Sequence, residues 1–379
     1  MNDYLDLWEK VKHLQAEQNV PENALEEYYN VRTDLAIEAT EVMRAQTGRE
    51  VSGARVDVEE SEHAKVTRMS ILSAQAAREL GKMPGHYSTI ESAELRQHNR
   101  DIHEEVAEVF AREISRFLGR IPPQANVLIV GLGNWNATPD ALGPKVVHQV
   151  LITRHLYEMT PPELRGELRP VCAIAPGVLG ITGMETGEVI KGVVQQIRPA
   201  MVIAIDALAS RASERLCATI QISDAGISPG SGIGNKRMGI TPETLGIPVL
   251  AVGVPTVIHA TTIANDAMEI LARETAPAPA TSVTPQATLA TKAASASQAT
   301  PGHESTAKTP RFANQKMQLE PQQKRQMLEE ILTPFLGSMI VTPKEIDVLV
   351  DDVSRVIAGG LNAALHPEIS LQDIMRYVQ

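Results

Sequence analysis

The chain has 379 residues, a net charge of −11 and 43% hydrophobic residues, with aromatics only 3% of the total. That is room for two to three domains' worth of chain around an aliphatic core, and the acidic balance argues against a nonspecific nucleic-acid binder, which needs a basic surface. Two cysteines, Cys172 and Cys217, build neither a disulfide framework nor a zinc site, and no apolar run approaches the ~20 residues of a membrane span. The opening MNDYLDLWEKVKHLQ lacks the apolar stretch of a secretory signal. A protein of a reducing, cytoplasmic compartment is expected.

Residues 1–34 read as charged, helical and peripheral. Within them begins 30-NVRTDLAIEA-39, which permits two readings. It is a helix start, with Thr33 as cap and Ala and Ile as the apolar face, or an extended acid-then-apolar peptide that an endoprotease could grip. Residues 35–120 mix helical patterns with the polar stretch 50-EVSGARVDVEESEH-63. The run 126-NVLIVGLGN-134 then reads as a buried strand, and a helical pattern follows from Pro144 to about Leu156. Further strands are expected at 170–176, 200–207, 218–223 and 248–255, with helices at 185–197 and 260–274. Apolar strands alternating with amphipathic helices predict an α/β fold: a mostly parallel sheet with helices on both faces. From 275 to 316 the chain is Ala, Thr, Pro and Ser with little to bury, and reads as a disordered insertion. Two amphipathic helical blocks, 317–340 and 343–365, form a helical C-terminal region.

In such sheets the ligand sits at the carboxyl ends of the strands. The loop 131-GLGNWNATPDALGP-144 is a weak dinucleotide fingerprint, since it lacks a third glycine and carries Trp135. It does place Asn134 and Asp140 at a strand end. Asp206 closes the apolar run 200-AMVIAIDA-207. Each Asp suits a helix cap. Together, two carboxylates facing one crevice suit acid/base chemistry on a peptide bond, because like charges held close push one pKa up. They also suit a divalent metal, with His259 as a weak third ligand. The glycine-rich loop 225-AGISPGSGIGNKRMGI-240, through Gly230, Gly232 and Lys236, could cradle an extended substrate. Glu185 reads as a helix-start carboxylate. A noncatalytic nucleotide-binding module using 131-GLGN-134 is the reading from another class. With no G-x-S-x-G, H-E-x-x-H, P-loop or CxxC, a carboxylate-based hydrolase is the most economical enzyme.

The strings VRTDLAIEA, LIVGLGNWNATPDALGP, APGVLGITGMET, VIAIDALASR, ISDAGISPGSGIGNKR and VGVPTVIHATTIA, with VTPKEIDVLVDD near the end, resemble the spore germination proteases. The similarity runs from about Arg32 to Leu271 and resumes near Gln322. It implies an α/β fold related to the hydrogenase-maturation proteases. It implies an aspartic-type endopeptidase that degrades small acid-soluble spore proteins, works in the spore core without a cofactor, binds neither nucleic acid nor membrane, and assembles as a homotetramer. The family's two aspartates map to Asp140 and Asp206, with the acid and base roles left open. The family also self-processes at a site of the form acid, apolar, Ala, small or apolar, Glu. Here that is Asp34-Leu35-Ala36-Ile37-Glu38, so cleavage is expected between Asp34 and Leu35. The expected divisions are a propeptide 1–34, a protease domain 35–274, the insertion 275–316 and a helical region 317–379. His259 departs from the pattern, standing where an Asp is more usual. That departure keeps a metal site of Asp140, Asp206 and His259 as the alternative.

Overall fold

The computed structural model describes residues 33–47, 51–161, 163, 165, 169–228, 238–264, 266–267 and 339–377. Most of the expected propeptide, Gly230, Gly232, Lys236, the 275–316 insertion and the helical block up to 338 lie outside the described residues. Among the described residues nine strands form one sheet: β1 (Ala54–Glu60), β2 (Lys65–Ile71), β3 (Gly85–Glu91), β4 (Val127–Gly131), β5 (Val171–Ile174), β6 (Met201–Ser210), β7 (Thr219–Ser223), β8 (Val249–His259) and β9 (Ile340–Val341). Their order is β1-β2-β3-β7-β8-β6-β4-β5, with β9 on the end of β8. The helices that matter here are α1 (Ala36–Thr47), α2 (Arg100–Leu118), α3 (Leu142–Gln149), α4 (Thr186–Ile197), α5 (Ile346–Leu365) and α6 (Leu371–Tyr377).

The α/β fold with helices on both faces is as expected from sequence. Strands β5, β4, β6 and β8 are parallel neighbours. All five residues of β4 are buried, which is why VLIVG reads as an unbroken apolar run rather than an alternation. The antiparallel wing β1-β2-β3-β7 is an addition to that expectation. It was hidden because β1 carries its side chains almost wholly into solvent. An edge strand with no buried face leaves no apolar period to read.

One face of the sheet is closed by α2 and α5. Ile102, Val106, Phe110, Ile114 and Phe117 fall at helical spacing on α2 and are buried. Asn99 caps this helix, its side chain accepting from the Asp101 N–H at 3.1 Å. On α5 the buried stripe runs Leu349, Val350, Val353, Ile357, Leu361. The helices meet where Gly360 faces Phe110. A Cβ at Gly360 would stand 2.5 Å from the Phe110 ring, so only glycine lets them pack this closely. Each large apolar side chain fully buried here stabilises the fold by roughly 1.5–3 kcal/mol.

Among the described residues the opposite face carries two separate cores. Under α4, Ile190 and Val194 pack on Leu128, Val130 and Val202. Under α1, Ala36 and Met43 pack near Met69, Ile71 and Tyr87. Asp206 and Gln221 lie in the gap between them.

Candidate active site

Asp140 is delivered by a loop of close backbone contacts. Strand β4 ends at Gly131, and the next N–H, of Leu132, still donates to the Ile205 carbonyl at 2.8 Å. At Gly133 the chain turns with φ +108°, a conformation L side chains rarely adopt. Asn134 then donates its N–H to the Asp140 carbonyl at 2.9 Å. A Cβ at Gly133 would stand 2.0 Å from that same oxygen, and one at Gly131 would stand 2.2 Å from the Gly143 carbonyl. These glycines therefore serve loop closure onto the sheet rather than phosphate binding. The Asn134 side chain belongs to the loop as well, accepting from the Asn136 N–H at 3.0 Å. Asp140 ends a 3₁₀ turn, Thr138–Asp140, just before α3.

Asp206 comes from inside β6, not from its tip. The strand continues to Ser210, with a register shift against β8 between Leu208 and Ala209. Asp206 is 6% exposed. Burial pushes its carboxyl well above the ordinary range, and the nearby charges of Asp140 and Asp34 push it further. The Ala207 N–H, donating to it at 2.9 Å, opposes them only in part. Geometry thus brings the two sequence-selected acids together electrostatically and favours the protonated form of one.

Across the sheet, Asp206 pairs with Gly253 of β8, and Gly253 pairs with Gln221 of β7. Paired residues in neighbouring strands project to the same face, so Asp206 and Gln221 flank Gly253, about 10 Å apart at Cα, and the Leu208 side chain lies over that glycine. A Cβ at Gly253 would stand 2.4 Å from the Leu208 side chain.

Over this floor runs the chain from Thr33 to Glu38. Asp34 donates its N–H to the Ala209 carbonyl at 3.1 Å, and its carboxylate accepts from the Ala209 N–H at 2.9 Å. The Gln221 side-chain amide donates to the Asp34 carbonyl at 3.2 Å and accepts from the Ala36 N–H at 2.6 Å. Lys82 donates to the Thr33 carbonyl at 2.8 Å. Its ammonium is held below the ordinary lysine range by burial, against the pull of Asp34 and Glu38. Leu35 and Ala36 are fully buried. Glu38, also buried, accepts from the Arg211 and Ala212 N–H groups at 2.8 and 3.1 Å, and Arg215 stands 3.3 Å from it. Arg215 bonds Glu41 and Glu91 as well. The helix reading holds in part: the helix begins at Ala36, and the Leu35 N–H donates to the Thr33 hydroxyl at 3.1 Å. Asp34, just ahead of it, is a bend bonded to both β6 and β7.

His259 does not join the pair. It ends β8, six residues beyond Gly253, and pairs with Ile340 of β9. At the rise of a strand that is roughly 20 Å from the Asp206 level. Among the described residues no group of three His, Cys, Asp or Glu side chains could hold a metal ion. Glu185 heads α4 without a side-chain cap bond. Gln221, Lys82 and Arg215 were not singled out from sequence. Gln221 alone left a trace, as the one amide inside the apolar strand 218-ATIQIS-223.

Two electrostatically coupled carboxylates on an α/β sheet, with a segment of the chain bonded to β6 and β7 near one of them, make a candidate site for acid–base hydrolysis. The comparisons make the class particular. The family model described as "Germination protease" matches residues 32–378, so the chain belongs to the germination protease family and is a protease. A Clostridium perfringens germination protease is 45% identical over 92% of this chain and 99% of its own length. Those of Caldanaerobacter subterraneus and Halalkalibacterium halodurans are 44% and 43% identical, over 91% and 93% of this chain and 97% and 98% of theirs. Among solved structures, a [NiFe] hydrogenase maturation protease, HycI from Thermococcus kodakarensis, matches 35% of this chain and 74% of its own at 17% identity and a TM-score of 0.22.

Proposed function

We propose that the chain is a self-processing endopeptidase, made as a zymogen, whose substrates on germination are small acid-soluble spore proteins. Asp140 and Asp206 are its catalytic pair. The observation that supports this reading is the hold of β6 and β7 on the Asp34–Leu35 segment, whose Asp34 carboxylate is one of the charges acting on Asp206. Asp206, kept protonated by its surroundings, is the acid, and the more exposed Asp140 is the base. Asp140 takes a proton from water as the water oxygen attacks the Asp34 carbonyl carbon. Asp206 gives its proton to the departing Leu35 nitrogen as the C–N bond breaks. A proton returned from Asp140 to Asp206 by way of solvent resets the pair. Cleavage leaves a propeptide ending at Asp34 and a mature chain starting at Leu35. Substrates with the same acid-apolar-Ala pattern occupy the same contacts.

No helix among the described residues is long and apolar enough to cross a membrane; the spore core is the proposed place of work. Assembly as a homotetramer is tested by light scattering of the full chain. The reading itself is tested by incubating full-length protein at mildly acidic pH and following its intact mass, with Asp140→Asn and Asp206→Asn alongside. A product starting at Leu35 in the wild type only is expected. Equal shortening in either variant would refute the assignment of the pair.

A further inference from the structure

We infer that Gln221 is a third catalytic residue, a side-chain amide that grips both sides of the scissile peptide and polarises its carbonyl. The inference rests on the reading of Asp34–Leu35 as the bond that is cut. The Gln221 Nε2 donates to the Asp34 carbonyl oxygen at 3.2 Å, and that oxygen gathers charge when water attacks. At the same time its Oε1 accepts from the Ala36 N–H at 2.6 Å. One planar amide thus pairs with the last acceptor before the bond and the second donor after it, as a neighbouring strand would. The bond between them cannot turn without breaking one of the two contacts.

Placement supports this role. Gln221 projects from β7 on the same face as Asp206, two strands away across Gly253, over which the Leu208 side chain lies. Asp34 is bonded to β6 through Ala209, while its carbonyl is bonded to β7 through Gln221. The peptide therefore bridges β8, with the amide donor on β7 and Asp206 on β6. Gln221 is 9% exposed in a strand whose other residues are all buried. A buried amide that only holds the segment shows its loss in binding and folding, whereas one that stabilises developing charge shows it in the chemical step as well.

The test uses the full-length chain with Gln221→Leu, Gln221→Glu and Asp206→Asn. Self-processing is followed by intact mass, and folding by thermal melting. Wild-type protein, once processed, is also given a peptide of residues 30–39, and so are the processed forms of both Gln221 variants. Gln221→Leu is expected to process about 100-fold more slowly or worse, and on the peptide to lower kcat as well as raise KM, since the two bonds present before the cut are also lost. Gln221→Glu keeps the acceptor for Ala36 but loses the donor when ionised. Its rate relative to wild type at the same pH is expected to rise as pH falls and the buried carboxyl takes up its proton, a recovery that a packing role would not show. Should Gln221→Leu fail to fold, the near-isosteric Gln221→Glu and its pH recovery decide the matter. Wild-type rates in both Gln221 variants, with Asp206→Asn silent, would overturn the role of Gln221 and leave the catalytic pair standing. A wild-type chain that neither processes nor cuts the peptide would overturn both.

Discussion

The two faces of the sheet are built from the same strands and differ in one respect. Under α2 and α5 the apolar cover is continuous, from Phe110 and Ile114 across to Val353 and Leu361. On the other face it is broken into two cores, and the break holds Asp206, Gly253 and Gln221. A β-strand sends alternate residues to opposite faces. Thus Ile203 and Ile205 of β6 feed the closed face, while Val202, Ala204 and then Asp206 feed the open one. The lesson is that stability and chemistry are separated by side-chain parity within single strands. A substitution on one parity should damage folding, and on the other parity catalysis.

The largest effect expected is on catalysis, with no loss of stability. Asp206→Asn should lower the rate of self-processing by about 10²–10⁴-fold, the usual reach of general acid–base catalysis, as read from intact mass over time. A variant that both unfolds and fails to process would erase the distinction between the faces. The reverse case is Phe110→Ala. It empties a fully buried site between α2 and α5 and should cost about 3–5 kcal/mol in urea unfolding. Whatever processing remains should still yield a chain starting at Leu35. Gly253→Ala is an intermediate case, on the open face but in a packing role. Its methyl would push on Leu208, a strain of about 1–3 kcal/mol. If the melting temperature did not fall, the cleft floor would be looser than described.

The smallest effect is one of pH. Burial raises the folded-state pKa of Asp206 above its unfolded value. Below the unfolded value the group is protonated in both states, and the fold suffers no penalty. As pH rises past it, the unfolded chain releases a proton that the folded chain retains, so stability falls toward neutral pH. Asp206→Asn removes that slope. Its melting temperature should exceed that of the wild type by a few degrees near pH 7 and match it near pH 4. A variant no more stable than wild type at pH 7 would mean the carboxyl is not held protonated. Gain of stability with loss of activity is the usual sign of an active-site acid held in an unfavourable place.

Much of the open face could be read in the sequence, for physical reasons. Asp140 and Asp206 stood out because a charge after an unbroken apolar run has few uses other than capping or chemistry. The helices α4 and α5 announced themselves by period. Three features did not. The wing strand β1 has no buried face, so it has no pattern. The continuation of β6 past Asp206 was masked by an acid that looks like a strand end. The clamp on the 33–38 segment unites Lys82, Ala209, Arg215 and Gln221. These residues lie far apart along the chain, and only the sheet order brings β6 and β7 to either side of β8. A lone Gln inside an apolar strand is the kind of signal that merits attention before the fold is known, since a buried amide needs partners.

The clamp holds its segment on both sides of one peptide bond, and those sides would fare differently after a cut. While the chain is whole, Asp34 occupies its place intramolecularly, at an effective concentration of the ~mM order that tethering provides. Once the bond is cut, Thr33 and Asp34 belong to a separate peptide, which dilutes away and leaves the contacts at Ala209 and Lys82 open. Leu35, Ala36 and Glu38 stay tethered through α1, packed against the same sheet. An incoming protein would thus find the acid-binding half of the cleft vacant and the other half contested by the enzyme's own new terminus. Its affinity would depend on how readily the first turn of α1 yields.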